Sequence, residues 1–491
     1  MFRHEMNIFY KIFSGLLLLI YWLFVSKTAL KILKKTRYII FIILWLLFIY
    51  MIPILGIVAY FAFSQSYFGK KRTKRARKMY PYINQWITDI KCYPHIFSNN
   101  YSDIASPLFK LCENRQGING IIGNKIQIIN NFTDIIQSII QDIQHANHNI
   151  EMIFYIWKPG GRVDEIAKSL IAASQRGIYC RIMLDSVGSI SFFRSCWPVI
   201  MRQAGIEVVE VLKLSIRSFF FRRIDLRQHR KMILVDNYIA YTGSMNLVDP
   251  KLFKHNIGIG QWVDIMVRIE GPISTLMSFV YSCDWEIETG KRILAPSLGN
   301  NMVIASCEKE LIIQLIGSGL NFPEDMIHQS LLTIIYSARK QLVITTPYFI
   351  PSNDIIYAIC AAAMRGVNVI IILPLYNDSI FVKWASRVFF SELLEAGVKI
   401  YQYEKGFLHT KTIIVDEQLS ILGTINIDMR SLWINLEIAL VIDNTVFSKQ
   451  LAKIQQDYIS CSQQLDIHLW YKRRWWKYII EQFFYFFGPL L

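Results

Sequence analysis

The sequence contains no CxxC pair and no close Cys/His cluster with the spacing of a zinc site. Its eight cysteines, Cys92, Cys112, Cys180, Cys196, Cys283, Cys307, Cys360 and Cys461, are scattered over 491 residues, which argues against a disulfide framework and reads as reduced structural thiols. Acidic residues are almost missing from the first segment: residues 1–78 hold fourteen Lys/Arg against Glu5 alone. That local balance of +13 leaves only +3 of the net +16 for the rest of the chain. A nucleic-acid enzyme would spread its basic residues over a substrate channel, whereas these flank apolar runs and suit anionic lipid head groups. From Tyr38 to Gly69 charge of either sign is absent. No small-residue cleavage site follows the first apolar run before Lys31, Lys34, Lys35 and Arg37, which argues against a removed secretory signal.

Apolar residues are abundant, at 53% with a mean hydropathy of +0.30, so lipid is expected to solvate part of the chain. The uncharged run from Tyr38, "IIFIILWLLFIYMIPILGIVAYFAF", exceeds the roughly 20 residues of a spanning helix and predicts one, with Pro53 as a tolerated kink. The earlier "IFSGLLLLIYWLFVS" offers fifteen uncharged residues and spans only if Lys11 and Lys27 snorkel to the interfaces. Both flanking basic segments, Lys27 to Arg37 and "KKRTKRARK", count in the positive-inside rule, which favours a cytoplasmic main body. At the other end, "WYKRRWWKYIIEQFFYFFGPLL" suits an interfacial helix, or equally a helix docked on its own domain.

A chain of this length exceeds what one core organises, and its middle repeats itself. "IEMIFYIW" followed by "SQRGIYCRIML", and "QLVITTPYFI" followed by "AAAMRGVNVIIIL", each read as strand, helix closed near Gly177 or Gly366, and strand. Two α/β halves with mainly parallel strands are expected. Each half then delivers a segment, "HRKMILVDNYIAYTGSMN" or "HTKTIIVDEQLSILGTIN", with H-x-K-x-x-x-x-D. The offsets from His229 and His409 agree at Lys231/Lys411, Asp236/Asp416, Gly243/Gly423, Ser244/Thr424 and Asn246/Asn426.

On a strand, residues i and i+2 share a face, so each His projects with its Lys. Two imidazoles at one phosphodiester can supply a nucleophile and a proton donor. The lysines Lys231 and Lys411, with Ser244, Asn246, Thr424 and Asn426, would surround the phosphate oxygens and could replace a metal ion. An acidic residue must orient each imidazole: Glu437 on the strand after the second motif, and Asp264 on the matching strand of the first half. Asp236 and Asp416 end their strands and read as structural, pairing with a basic side chain or capping backbone amides.

The duplicated motifs resemble the phospholipase D superfamily, and "GSMNLVDP", "YSCDWEIETGKRIL", "GFLHTKTIIVD" and "NIDMRSLWINLEI" resemble bacterial cardiolipin synthases within it. The resemblance implies two α/β halves related by a pseudo-twofold axis, after an N-terminal transmembrane hairpin. It implies no cofactor, no metal, His229, Lys231, Asp236, His409, Lys411 and Asp416 as the catalytic set, and a phosphohistidine-type intermediate. His229 as nucleophile and His409 as acid/base follow the commoner family assignment. The implied reaction joins two phosphatidylglycerols and releases glycerol, in the bacterial cytoplasmic (inner) membrane. A hydrolase of the same superfamily stays open, because the catalytic set alone does not choose between water and an alcohol. The expected divisions are spans over 1–67, a basic connection over 68–130, halves over 131–295 and 296–465, and the interfacial helix over 466–491.

Overall fold

The computed structural model describes residues 2–35, 39–63, 68–213, 223, 225–253, 258–294, 296 and 311–488. Arg37, Cys307 and the expected boundary at residue 295 lie outside the described residues. The chain divides into two compact units, one built on the N-terminal helices and one holding residues 72–213 and 226–491.

In the first unit, α1 (Phe2–Lys35) contains the apolar stretch Phe9–Leu33, long enough to cross a membrane. The second apolar run departs from a single span. It forms α2 (Ile39–Met51) and α3 (Pro53–Phe63), broken at Ile52. The two fold back on each other, since the Trp45 and Tyr60 rings lie 5.5 Å apart although fifteen residues separate them. Proline at the first position of α3 lacks the amide to continue α2. Gly56 permits the close approach: a Cβ there would sit 2.7 Å from Ile49 Cα. At thirteen and eleven residues, α2 and α3 reach roughly 20 and 16 Å, short of the roughly 30 Å hydrocarbon core.

The second unit carries two sheets. The seven-stranded sheet runs Lys125–Ile129, Met266–Glu270, Ile239–Gly243, Met232–Val235, Asn149–Phe154, Tyr179–Asp185, Glu207–Val211. The ten-stranded sheet repeats this grammar around Ile438–Asp443, Leu419–Gly423, Thr412–Val415, Gln341–Thr345, Asn368–Pro374 and Lys399–Tyr403. Registers agree between halves: Ile150 pairs with Val235 as Leu342 pairs with Val415. The crossover helices Val163–Gln175 and Asn353–Met364 end before Gly177 and Gly366, both left-handed at φ 90 and 91°. There the amides of Ile178 and Val367 return to the carbonyls of Ala173 and Ala362, closing the last turn.

Mainly parallel sheets were the expectation, and both sheets are mixed. In each, parallel pairing joins the three strands beside the crossover helix, and the motif strands pair antiparallel. The reason is the turn after each motif strand: Asp236–Asn237 and Asp416–Glu417 all have φ between 52 and 55°, the pair of left-handed residues that closes a tight hairpin.

The expected boundaries also shift. Helix Ser106–Gln116 packs on the second half's core and Ile121 pairs with Ile313, so much of the 68–130 connection belongs to that half. Lys125–Ile129 is already an edge strand of the first sheet. The basic run begins the helix Lys70–Ile90, and part of its charge is used internally: Arg72 meets Glu288 through both carboxylate oxygens, and Arg75 donates to the carbonyls of Ile287 and Glu288. Lys70, Lys71, Lys74, Arg77 and Lys78 remain exposed.

Helix Pro272–Thr289 is buried almost all round, packed on strands of the first sheet and on Ile312–Gly317 of the second. It carries Asp284, buried against the guanidinium of Arg230, which also donates to the carbonyls of Glu437 (3.2 Å) and Ser318 (2.5 Å). Arg230, held by Asp284, thereby ties both halves together. Replacing Asp284 with Ala strands a buried cation, and denaturant unfolding should show a loss of about 3–5 kcal/mol.

Candidate active site

Each motif histidine stands just ahead of its hairpin strand, where alternation sends His229 and Lys231 one way and Arg230 the other, towards Asp284. The lysines fold back, Lys231 Nζ onto the carbonyl of His229 (2.9 Å) and Lys411 Nζ onto that of His409 (2.5 Å). All four side chains are buried.

The halves are stitched at these segments. Leu408 pairs with Val263, and Gln228 pairs with Leu436, each partner standing one residue before an acidic side chain. The amide of His229 bonds the carbonyl of Leu436, and that of His409 the carbonyl of Val263, both at 2.9 Å. This register places each carboxylate on the other half's histidine. His229 Nδ1 lies 2.8 Å from Glu437 Oε2, and His409 Nδ1 lies 2.7 Å from Asp264 Oδ1. The orienting pairs are therefore exchanged relative to the same-half arrangement expected from strand order, because the acidic strands meet the histidine segments only across the pseudo-twofold axis.

The expected phosphate ligands divide. Thr424 Oγ1 donates to Glu437 (2.6 Å) and Ser244 Oγ to Asp264 (2.6 Å), and both hydroxyls accept backbone amides, of Ile438 and Ile265 (3.0 Å each). They hold the carboxylates, and their protons are not available to a phosphate. Asn246 Oδ1 accepts the amide of Ile156 at 3.2 Å, which turns its amide nitrogen to donate elsewhere, and Asn426 is likewise buried. Asp236 accepts the amides of Asn147, His148 and Asn149 (2.8, 2.7 and 3.0 Å), and Asp416 those of Arg339, Lys340 and Gln341 (2.9, 2.7 and 2.7 Å). Both aspartates cap the start of the neighbouring strand, so their grouping with the reacting residues gives way to a structural role. Nδ1 of each histidine is engaged, and neither Nε2 has a protein partner among the described residues.

Several residues at the site escaped sequence reading. Ser431 Oγ (2.9 Å) and Asn435 Nδ2 (3.2 Å) both donate to Glu437 Oε1. The Tyr155 ring meets His229 edge-on at 5.2 Å, and Trp262 lies over His409 at 4.4 Å. Trp262 stands two residues before Asp264, a same-face spacing that could have pointed to it; Ser431 and Tyr155 carry no comparable signal.

Burial lowers both histidines to about 4, against the pull of Glu437 and Asp264 and together with Lys231 and Lys411. Burial also lowers Lys231 to about 8 and Lys411 to about 7, the latter further through Lys231. Burial would raise Glu437 and Asp264, but the histidines, the lysines and the hydroxyls outweigh it and hold both low. Near pH 6 the empty site thus has two cationic lysines, two carboxylates and two neutral imidazoles. As pH rises through about 7 to 8 the lysines discharge and the site turns anionic. The expected kcat/KM for an anionic phosphodiester falls across that interval, and a profile flat to about pH 9 contradicts it.

The profile of the family described as "Cardiolipin synthase, PLD-like domain" matches residues 139–265 and 331–458, one stretch for each half and each with one His-x-Lys segment. The chain belongs to the cardiolipin synthase family. "Cardiolipin synthase A" of Salmonella arizonae and that of Citrobacter koseri are each 57% identical to it over 486 residues, covering 99% of this chain and 100% of theirs. Among solved structures, phosphatidylserine synthase of Haemophilus influenzae aligns with a TM-score of 0.56 and 15% identity, over 78% of this chain and 100% of that one, a likeness of fold. As a member of the cardiolipin synthase family, the chain is a phosphatidyltransferase of phospholipid synthesis built from two phospholipase D-like halves.

Proposed function

We propose that this cardiolipin synthase transfers the phosphatidyl group of one phosphatidylglycerol to another, through His229. The observation that carries the reading is the pair of buried histidines, each with Nδ1 bound to a carboxylate and Nε2 left for phosphorus or a proton. In the first step His229 Nε2 attacks the donor phosphorus, the bond to glycerol breaks, and His409 protonates the leaving oxygen. In the second, His409 takes the proton of the acceptor's glycerol hydroxyl, that oxygen attacks phosphorus, and the P–N bond breaks. Lys231, Lys411, Asn246 and Asn426 supply charge and donors to the equatorial oxygens, a set that needs no metal ion.

The choice of nucleophile rests on an asymmetry. Glu437 receives four donors, from His229, Thr424, Ser431 and Asn435, whereas Asp264 receives His409 and Ser244. A carboxylate bonded four times is a weaker base and stabilises an imidazolium less, which keeps His229 neutral and nucleophilic. Asp264 is freer to support a protonated His409 as the lipid phosphate adds negative charge.

In this reading α1 anchors the protein in the bacterial cytoplasmic membrane, with its catalytic body on the cytoplasmic side. What supports this is that α2 and α3 are too short to cross, so the basic segments before α2 and after α3 flank the same leaflet, as the positive-inside rule requires. The test of function is to incubate detergent-purified protein with phosphatidylglycerol and EDTA and to follow both products. Equimolar cardiolipin and glycerol support the transferase; phosphatidic acid instead of cardiolipin would make it a hydrolase.

A further inference from the structure

The C-terminal segment is both docked and unfinished. Helix Trp475–Tyr485 turns one face inward, where Phe484 and Tyr485 pack on the core of the second half. Glu481, the one acidic residue from 467 to 488, is fully buried there, accepting from Arg387 Nε (2.9 Å) and meeting Arg473 (3.4 Å). Those two guanidiniums also lie over the Trp470 ring, at 4.6 and 4.0 Å. The docking is thus built by specific contacts.

The opposite face has no such partner. Trp475, Ile479, Phe483 and Phe486 follow one another at helical spacing and are 75, 56, 60 and 76% exposed. Lys472 and Arg474 stand exposed at its start, while Glu481 is turned inward. A second helix extends the surface: Phe381 of Ile380–Ala385 meets Phe484 and Phe487 edge-on at 5.1 and 5.6 Å, while Ile380 and Lys383 are exposed beside it. An aromatic and aliphatic stripe with Lys472 and Arg474 at its start and Lys383 beside Ile380 is complementary to the surface of an anionic bilayer, where rings settle at the head-group level and lysines meet phosphate.

A cavity of about 200 Å³ opens between Lys383, Arg387, Tyr376, Asn377 and Pro347. Next to Pro347, the Tyr348 hydroxyl donates to Asp378 (2.7 Å), and its ring reaches Phe407 at 6.3 Å, which stands 5.7 Å from His409.

We propose that the face formed by Trp475, Ile479, Phe483, Phe486 and Ile380 seats the catalytic unit on an anionic phospholipid bilayer. The proposal rests on the phosphatidyl-transfer reading for its activity readout and not for its binding readout. Full-length protein and its Trp475→Asp and Phe483→Asp variants, in nanodiscs of phosphatidylglycerol and phosphatidylcholine, would be assayed on long-chain bilayer lipid and on dissolved dibutyryl phosphatidylglycerol. The expected result is a loss of about tenfold or more on bilayer lipid with the dissolved substrate turned over at the parental rate. Equal loss on both substrates, or on neither, overturns the proposal. Separately, a fluorescent amino acid placed genetically at position 483 should be quenched by doxyl-labelled lipid. Absence of quenching also overturns it, and if Phe483→Asp then splits a dimer, a second copy is the occupant. If the parental protein makes no cardiolipin from either substrate, the functional reading falls while quenching still tests the seating.

Discussion

His229→Ala is expected to lose at least about 10⁴-fold in turnover, approaching the roughly 10⁶-fold seen when a covalent nucleophile is removed, because the nitrogen that forms the P–N bond is lost. His409→Ala should cost about 10²–10⁴-fold on phosphatidylglycerol, the range of a general acid and base. The two are separated by a substrate that needs no proton on departure, phosphatidyl p-nitrophenol. With it, His409→Ala should release one equivalent of p-nitrophenol in a burst and then stall, since the acceptor hydroxyl finds no base. His229→Ala should show no burst. A burst in His229→Ala and none in His409→Ala would reverse the assignment, and retained turnover in either would remove the two-histidine mechanism. Both imidazoles are buried in hydrogen-bonded positions, so circular dichroism and thermal unfolding of each variant belong with the kinetics.

Glu437→Gln and Asp264→Asn carry the next largest effects, about 10³–10⁴-fold each, because an amide in place of the carboxylate favours the wrong imidazole tautomer. The exchange of carboxylates between halves decides which step each one slows. Glu437 holds His229, so Glu437→Gln should slow the burst from phosphatidyl p-nitrophenol. Asp264 holds His409, so Asp264→Asn should leave that burst near its parental rate and slow the turnover that follows. If each carboxylate served the histidine of its own half, the two phenotypes would be interchanged. Thr424→Val removes one of four donors to Glu437 and should weaken the first step by less than either change.

Much of this site was legible before any coordinates. The residue-for-residue agreement of the two motifs identified His229, Lys231, His409 and Lys411, since two-residue periodicity on a strand puts each His and Lys on one face whatever surrounds them. The motif aspartates were readable as amide caps, because a carboxylate at a strand end beside a turn has backbone donors within reach. The assignment of Ser244 and Thr424 to the phosphate failed because a hydroxyl's direction depends on which acceptor the neighbouring strand presents, and Asp264 and Glu437 arrive there through pairing across the halves. The single second span failed because hydropathy registers length and polarity, whereas Pro53 and Gly56 act on backbone geometry and permit α3 to lie back on α2.

The sequence by itself determined the duplicated α/β grammar, the apolar N-terminal end and the two His-x-Lys segments as candidate reacting groups, because these follow from local periodicity, composition and spacing. Only the tertiary structure decided which carboxylate serves which histidine, how many donors each receives and which face of the C-terminal helix is left outward. Those depend on contacts between residues about 145 to 208 positions apart, such as Asp264 with His409 and His229 with Glu437, whose register is set by strand pairing between halves.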